Sequence, residues 1–237
     1  MNIFLAGATG VVGRRLVALL RDAGHAVTGT SRSQERAAAI EALGARGVVV
    51  DVFDARALLK AMAAAYPDVV IHQLTDLPDA LAPAGRPVEF EANARIRLEG
   101  TRNLMAAAQV AGARRVVAQS IAFAYAPGPG ARVESDPLDV DGARAATVRA
   151  VVSLEQQVTS VPGIDGIVLR YGRFYGPGTW YPAATDAGAL HVDAAAHAAL
   201  LAVTRGAAGI YNIAEDDGAV SSEKARRELG FNPGFRM

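Results

Sequence analysis

The sequence predicts an α/β fold, a doubly wound parallel sheet with a reduced carboxyl-terminal lobe. Three observations carry this. Strand-like and helix-like segments alternate along most of the 237 residues, the order expected of right-handed βαβ units. The strand segments, such as Val48-Val49-Val50 and Val69-Val70-Ile71, are apolar β-branched runs suited to burial on both faces. The first strand runs straight into a glycine loop, Gly7-Ala8-Thr9-Gly10-Val11-Val12-Gly13, and a helix follows at once.

The elements follow in order. Residues 2–6 form the first strand, and the helix after the glycine loop stops at Gly24. Residues 25–30 are the second strand, 34–43 a helix closed by Gly44, and 47–51 the third strand. A helix over 55–65 stops before Pro67, and 68–72 is the fourth strand. Pro78, Pro83, Gly85 and Pro87 make 75–87 a loop. A long helix spans 88–111, ended by Gly112, and 115–119 is the fifth strand. The segment 126–139 is proline- and glycine-rich loop, and 143–160 is helical up to Pro162-Gly163. The sixth strand is 166–170, and 171–190 reads mostly as loop. A helix over 192–204 takes Asp193 as its cap, 209–213 is the seventh strand, and a short helix over 222–229 ends at Gly230. Residues 1–170 form a Rossmann domain on this reading, and 171–237 a small substrate lobe interleaved with the last strand.

Composition narrows the function. With 51% hydrophobic and 20% charged residues the chain reads as globular rather than disordered. Its formal net charge is zero and no basic block occurs, which argues against nucleic acid or an anionic membrane as partner. There is no cysteine, so disulfides, thiol catalysis and cysteine metal sites are excluded. No leader segment or membrane-spanning run is read, and a cytoplasmic location is expected.

The glycine loop is the arrangement that holds a dinucleotide pyrophosphate. Gly7 permits the turn, Gly10 lets backbone approach phosphate, and Gly13 lets the helix pack close to the strand. The second strand ends in Thr30-Ser31-Arg32. A carboxylate there would accept from a ribose 2′-hydroxyl, whereas Ser31 followed by Arg32 suits a 2′-phosphate. NADP(H) is therefore preferred, with NAD(H) as the alternative. The expected cofactor contacts are Gly7, Thr9, Gly10, Val11, Val12, Gly13, Ser31, Arg32, Asp51, Val52, Leu74, Thr75 and Tyr171. Asp51 suits the adenine amino group, and Asp54 the cap of the next helix.

These pieces, with Asp51-Val-Phe-Asp54, Glu99-Gly-Thr-Arg-Asn-Leu104, Leu169-Arg-Tyr-Gly-Arg-Phe-Tyr-Gly-Pro-Gly178 and Gly209-Ile-Tyr-Asn212, resemble the extended short-chain dehydrogenase/reductase family, the NAD(P)-dependent epimerase/dehydratases. The resemblance implies a Rossmann domain, a small-molecule substrate and a homodimer through the two long helices. It also implies a catalytic Ser or Thr, then a Tyr and a Lys four residues apart. Here the pattern departs: Thr147 takes the place of the Tyr and Val151 that of the Lys, and the only lysines are Lys60 and Lys224. Counting back from Tyr125 puts Ile121 at the serine position, with Ser120 one residue before.

The remaining catalytic candidates are Ser120, to polarise a carbonyl, and Tyr125, as proton partner. Arg97 and Arg173 stand where relatives often have asparagine and read either as structural charges or as clamps for an anion. Tyr171, Tyr175, Trp180 and Tyr181 are expected near the cleft, either against the nicotinamide or as a lid packed on itself. His72 reads as a buried neutral residue. His191, Asp193 and His197 make a poor metal set, and no metal is expected. Two functions remain open: an oxidoreductase or isomerase on a small carbonyl or alcohol, and a non-catalytic NADP(H) sensor.

Arg32→Ala is expected to weaken NADPH far more than NADH, by about 1.5–3 kcal/mol for a lost charged hydrogen bond. Calorimetric titration with both cofactors checks this, and equal losses overturn the assignment.

Overall fold

The computed structural model describes residues 1–77, 91–185 and 187–237. Pro78, Pro83, Gly85, Pro87 and the expected start of the long helix at Val88 lie outside the described residues.

The strands are β1 (Asn2–Ala6), β2 (Ala26–Ser31), β3 (Arg46–Val49), β4 (Val69–His72), β5 (Arg115–Ile121), β6 (Asp165–Tyr171), β7 (Arg173–Tyr175), β8 (Ala189–His191) and β9 (Gly209–Ile213). The helices are α1 (Val11–Asp22), α2 (Gln34–Ala42), α3 (Ala55–Ala65), α4 (Glu91–Arg95), α5 (Thr101–Val110), α6 (Ala145–Thr159), α7 (Val192–Ala202) and α8 (Glu223–Leu229). Seven strands make one parallel sheet in the order β3-β2-β1-β4-β5-β6-β9. The chain reverses direction across the sheet between β1 and β4, the switch point at which such sheets bind ligands.

Alternate residues of each strand feed two apolar layers. Ile3, Leu5, Ile71, Val117 and Leu169 face α1 and α7, with Leu16, Leu20 and Ala198 among the facing side chains. Phe4, Val70, Val116, Ala118 and Val168 face α3, α5 and α6, against Leu58, Met62, Leu104 and Leu154. This period of two, buried on both sides, is why the strands read as continuous apolar runs.

Several elements differ from the sequence reading for local reasons. The segment 171–190 is mostly loop, as read, but holds two short strands that the sequence reading did not give: β7 and β8 pair in parallel, Arg173 with Ala189 and Tyr175 with His191. Helix α7 is capped by His191, whose ring accepts from the Asp193 amide at 3.2 Å. Asp193 is instead held by Arg15 Nε at 2.6 Å, an ion pair tying α7 to α1. The long helix is interrupted by a π-helical turn over Ile96–Gly100. Such a turn admits one extra residue and re-aims the side chains around it. Glycine allows the helix to lie close here, since a Cβ on Gly100 would sit 3.2 Å from Val52 Cγ1.

The contact between α6 and β6 is equally close. A Cβ on Gly166 would lie 1.9 Å from the Val158 carbonyl oxygen. Gly166→Ala therefore forces the helix off the sheet. It is expected to cost about 1–3 kcal/mol or more, the usual range for overpacking. Urea denaturation reads this, and an unchanged midpoint would contradict the packing.

Candidate functional site

The carboxyl ends of β1, β2, β4, β5 and β6 carry the residues singled out by sequence. Gly7 has φ +91°, and a Cβ on it would lie 2.6 Å from Gln73 backbone, so only glycine fits. A Cβ on Gly13 would lie 2.1 Å from the Gly7 carbonyl, which sets how closely α1 approaches β1. Gly10 is different. Its φ is −70°, and a Cβ there would meet only the Gly7 carbonyl, at 3.4 Å. The protein itself barely requires glycine at this position, so the space beside it is available to a ligand. No side chain caps α1, which leaves its first amides and positive dipole end facing that space. The residues present thus fit a dinucleotide pyrophosphate.

Ser31 is buried and its hydroxyl accepts weakly from the Ser33 amide at 3.4 Å. Arg32 is exposed, with Asp76 Oδ1 at 3.4 Å from its Nη2. A phosphate arriving at Arg32 would have to displace this carboxylate. Asp51 accepts from the Phe53 amide at 2.9 Å, while Asp54 caps α3 through the Ala57 amide. Leu74 donates its amide to His72 Nδ1 and accepts from Gln119 Nε2, and Thr75 is exposed at the strand end. His72 is fully buried, its Nε2 3.1 Å from Thr101 Oγ1. Burial, helped by the Arg97 charge, pushes this imidazole down to about 4, so it is neutral.

Tyr171 does not face the cleft. Its ring is buried against Phe174, its hydroxyl accepts from Gln73 Nε2 at 3.3 Å, and burial pushes the phenol up. Its inward position on β6 sends the side chain into the core, which a motif match alone does not reveal. Tyr175 donates to Glu215 at 2.7 Å and lies edge-on to His191. Trp180 is half-buried on the loop that Arg15 Nη2 holds at the Pro177 carbonyl. A Cβ on Gly178 would lie 3.5 Å from Val11, so this loop rests on the glycine loop.

Ser120 and Tyr125 meet in a buried network that the sequence did not reveal. Ser120 Oγ donates to Glu155 Oε1 at 2.7 Å. Arg170 binds both oxygens of Glu155, at 2.8 and 2.7 Å, and its Nη1 donates to the Tyr125 hydroxyl at 2.7 Å. Tyr125 in turn donates to Asn212 Oδ1 at 2.6 Å. Burial pushes the Tyr125 phenol up, against the opposing pull of Arg170 and Asn212. Both candidate hydroxyls thus have their protons committed to protein acceptors. Next to them Val151 packs with Val148 and Ala124 in a small apolar cluster, and Thr147 is half-buried on the same helix.

Beyond the network is a cavity of about 340 Å³, lined by Phe123, Tyr125, Pro127, Arg132, Arg173 and Val220 among others. The Arg173 guanidinium lies 4.5 Å from the Phe123 ring centre. Arg132 is anchored through Nη2 to the Pro129 and Gly130 carbonyls. Arg132 Nη1 also lies 3.9 Å from Asp136 Oδ2, so the cavity combines an aromatic wall with an ion-paired guanidinium and Arg173. Among the described residues there is no grouping of acidic and histidine side chains that would hold a metal, and no helix long and apolar enough to cross a membrane.

Comparison with known proteins agrees with this geometry. The model of the NAD dependent epimerase/dehydratase family matches residues 3–190. A 3-diazoavenalumate denitrifying reductase from a Streptomyces species is 44% identical over 248 aligned positions, spanning 94% of this chain and 79% of that protein. Among solved structures, the Thermotoga maritima UDP-glucose 4-epimerase with UDP-glucose superposes with a TM-score of 0.82 at 18% identity, over 100% of this chain and 94% of that one. The Thermus thermophilus UDP-glucose 4-epimerase with NAD gives 0.77 at 18% identity, over 100% and 95%. At these identities the two likenesses speak to the fold alone.

The open space at Gly10 yields a separable test. Gly10→Ala is expected to leave stability within about 1 kcal/mol and to weaken NAD(P)H at least tenfold, about 1.4 kcal/mol. Thermal melts and calorimetry on one sample read both, and unchanged cofactor affinity would contradict the assigned cradle.

Proposed function

Because the chain belongs to the NAD dependent epimerase/dehydratase family, we propose that it is an NAD(P)H-dependent reductase whose acceptor carbon carries a diazo group, in its diazonium form, on a small carboxylate. The observation that supports this reading best is the closed network at the strand ends. A carbonyl accepting hydride becomes an alkoxide and needs a proton. The two candidate hydroxyls, of Ser120 and Tyr125, donate to Glu155 and Asn212. The reductase relative's name describes an acceptor that loses nitrogen and carries a carboxylate. When bound, NAD(P)H supplies a hydride; delivered to a diazonium carbon, it forms a C–H bond while the C–N bond breaks with its electron pair and N₂ leaves, with no proton required.

The chain's own residues then bind and orient. Gly7, Gly10 and Gly13 with the start of α1 hold the pyrophosphate. Ser31 and Arg32 favour NADP(H), with NAD(H) as the alternative because Asp76 already occupies Arg32. The cavity beside Phe123 receives the flat part of the substrate, with Arg132 and Arg173 at its rim. Residues 171–237 act as the substrate lobe on this reading, and pairing of two copies through the long helices completes a homodimer. An isomerase acting on a carbonyl fits less well, because it too must move a proton at oxygen.

The test uses NADPH deuterated at C4 and a carboxyl-substituted arenediazonium salt. N₂ release equal to NADPH consumed is expected, with deuterium at the carbon that lost nitrogen and none taken from D₂O. Ser120→Ala is expected to keep kcat within about threefold, whereas removing a general acid costs about 10²–10⁴-fold. NADPH binding without N₂ release would point to a non-catalytic sensor.

A further inference from the structure

The polar network around Glu155 leaves one cation out. Arg97 is 8% exposed, and its Nη1 is shielded from solvent and has no hydrogen-bond partner among the described residues. Glu155 is the nearby carboxylate that acts on it, yet both Glu155 oxygens are taken by Arg170, with Ser120 on one of them. His72, the other titratable group facing Arg97, is neutral. Among Arg97, Arg170 and Glu155, two guanidiniums therefore share one carboxylate, and Arg170 binds both of its oxygens. Burial pulls the guanidinium down to about 10, so it is still charged at neutral pH.

Its level in the fold is set by two contacts. Thr101 bonds to His72, the last residue of β4, and Glu155 bonds to Ser120 and Arg170 near the ends of β5 and β6. Both helices run back from the carboxyl edge of the sheet. Arg97, four residues before Thr101, and Val151, four before Glu155, thus lie about one turn, or about 5 Å, beyond the strand ends. The two helices are also tied by Gln157, two residues after Glu155, whose Nε2 donates to the Arg97 and Leu98 carbonyls at 3.4 and 3.3 Å. The π-helical turn begins one residue before Arg97. Turns of this kind concentrate at functional sites because they expose or re-aim a side chain.

We infer that Arg97 is an anion receiver: its guanidinium takes an anionic oxygen from a ligand seated over the ends of β4 and β5. An ion pair that is completed only on binding explains why a buried cation is kept without a partner. Leaving such a charge unpaired costs stability in the free protein, and a ligand oxyanion removes that cost. The oxyanion comes either from the substrate carboxylate or from a cofactor phosphate. The inference reads binding rather than turnover, so it stands or falls apart from the diazonium reaction.

The experiment compares wild type, Arg97→Met and Arg97→Lys in the full chain by calorimetry and thermal melts. The probes are NADP⁺ alone and benzoate in the presence of saturating NADP⁺, with benzamide as the uncharged control. For Arg97→Met a higher Tm without ligand is expected, together with a tenfold or greater loss of affinity for one anion. Loss confined to benzoate identifies the carboxylate, and loss for NADP⁺ identifies the phosphate. Affinities within twofold of wild type for both probes overturn the inference. So does a benzamide loss equal to that of benzoate. Should Arg97→Met not fold, Arg97→Lys carries the same reading, since it keeps the charge but lacks the planar fork. A weakening of at least threefold for one anion is then expected, and none for either overturns it.

Discussion

The ion pair between Arg170 and Glu155 is the contact on which the active end of the sheet depends. Both side chains are almost fully buried, and they meet through two short hydrogen bonds, at 2.8 and 2.7 Å. Burying two charges is costly unless every remaining donor and acceptor is matched. Here they are matched by Ser120 on β5, by Tyr125 on the loop after it, and by the Glu134 carbonyl. Tyr125 passes the chain on to Asn212 on β9, and Glu134 accepts from the Asn212 amide at 2.8 Å. One ion pair thus joins helix α6, three strand ends and the 125–134 loop. Removing either partner alone would strand the other charge in a dry interior, a loss of about 3–5 kcal/mol.

That same pair has a chemical consequence. A network in which both candidate hydroxyl protons have protein acceptors holds those hydroxyls in place, and a satisfied hydroxyl is a poor proton donor to a guest. The groups expected to handle protons are therefore part of the scaffold, and the proposed ligand contacts are charge and shape: the open space at Gly10, the guanidiniums of Arg32, Arg97, Arg132 and Arg173, and the wall formed by Phe123.

Much of the fold was legible in the sequence because its signals are local. β9 over Gly209–Ile213, the Asp54 cap and the Gly230 stop all appear where turn chemistry and strand patterning put them. Departures came where a distant contact outweighed a local preference. Asp193 is an excellent cap by type, yet Arg15, far away in sequence, claims its carboxylate, and His191 caps the helix instead. Tyr171 sits in a motif that suggests a ligand contact, but strand alternation turns its ring into the core.

The sequence by itself determined the alternation of strands and helices, the glycine cradle at the first turn, and the lack of a Tyr and Lys four residues apart. Each is a matter of residue type and near spacing. Only the tertiary structure decided which polar groups remain free to act. Ser120 finds Glu155 35 positions away, Tyr125 finds Asn212 87 positions away, and Arg97 finds no partner for its Nη1 among the described residues. The reason is that hydrogen-bond partners in a parallel sheet come from strands brought together by the crossovers. Whether a buried hydroxyl or guanidinium is satisfied therefore depends on the assembled strand ends, not on its neighbours along the chain.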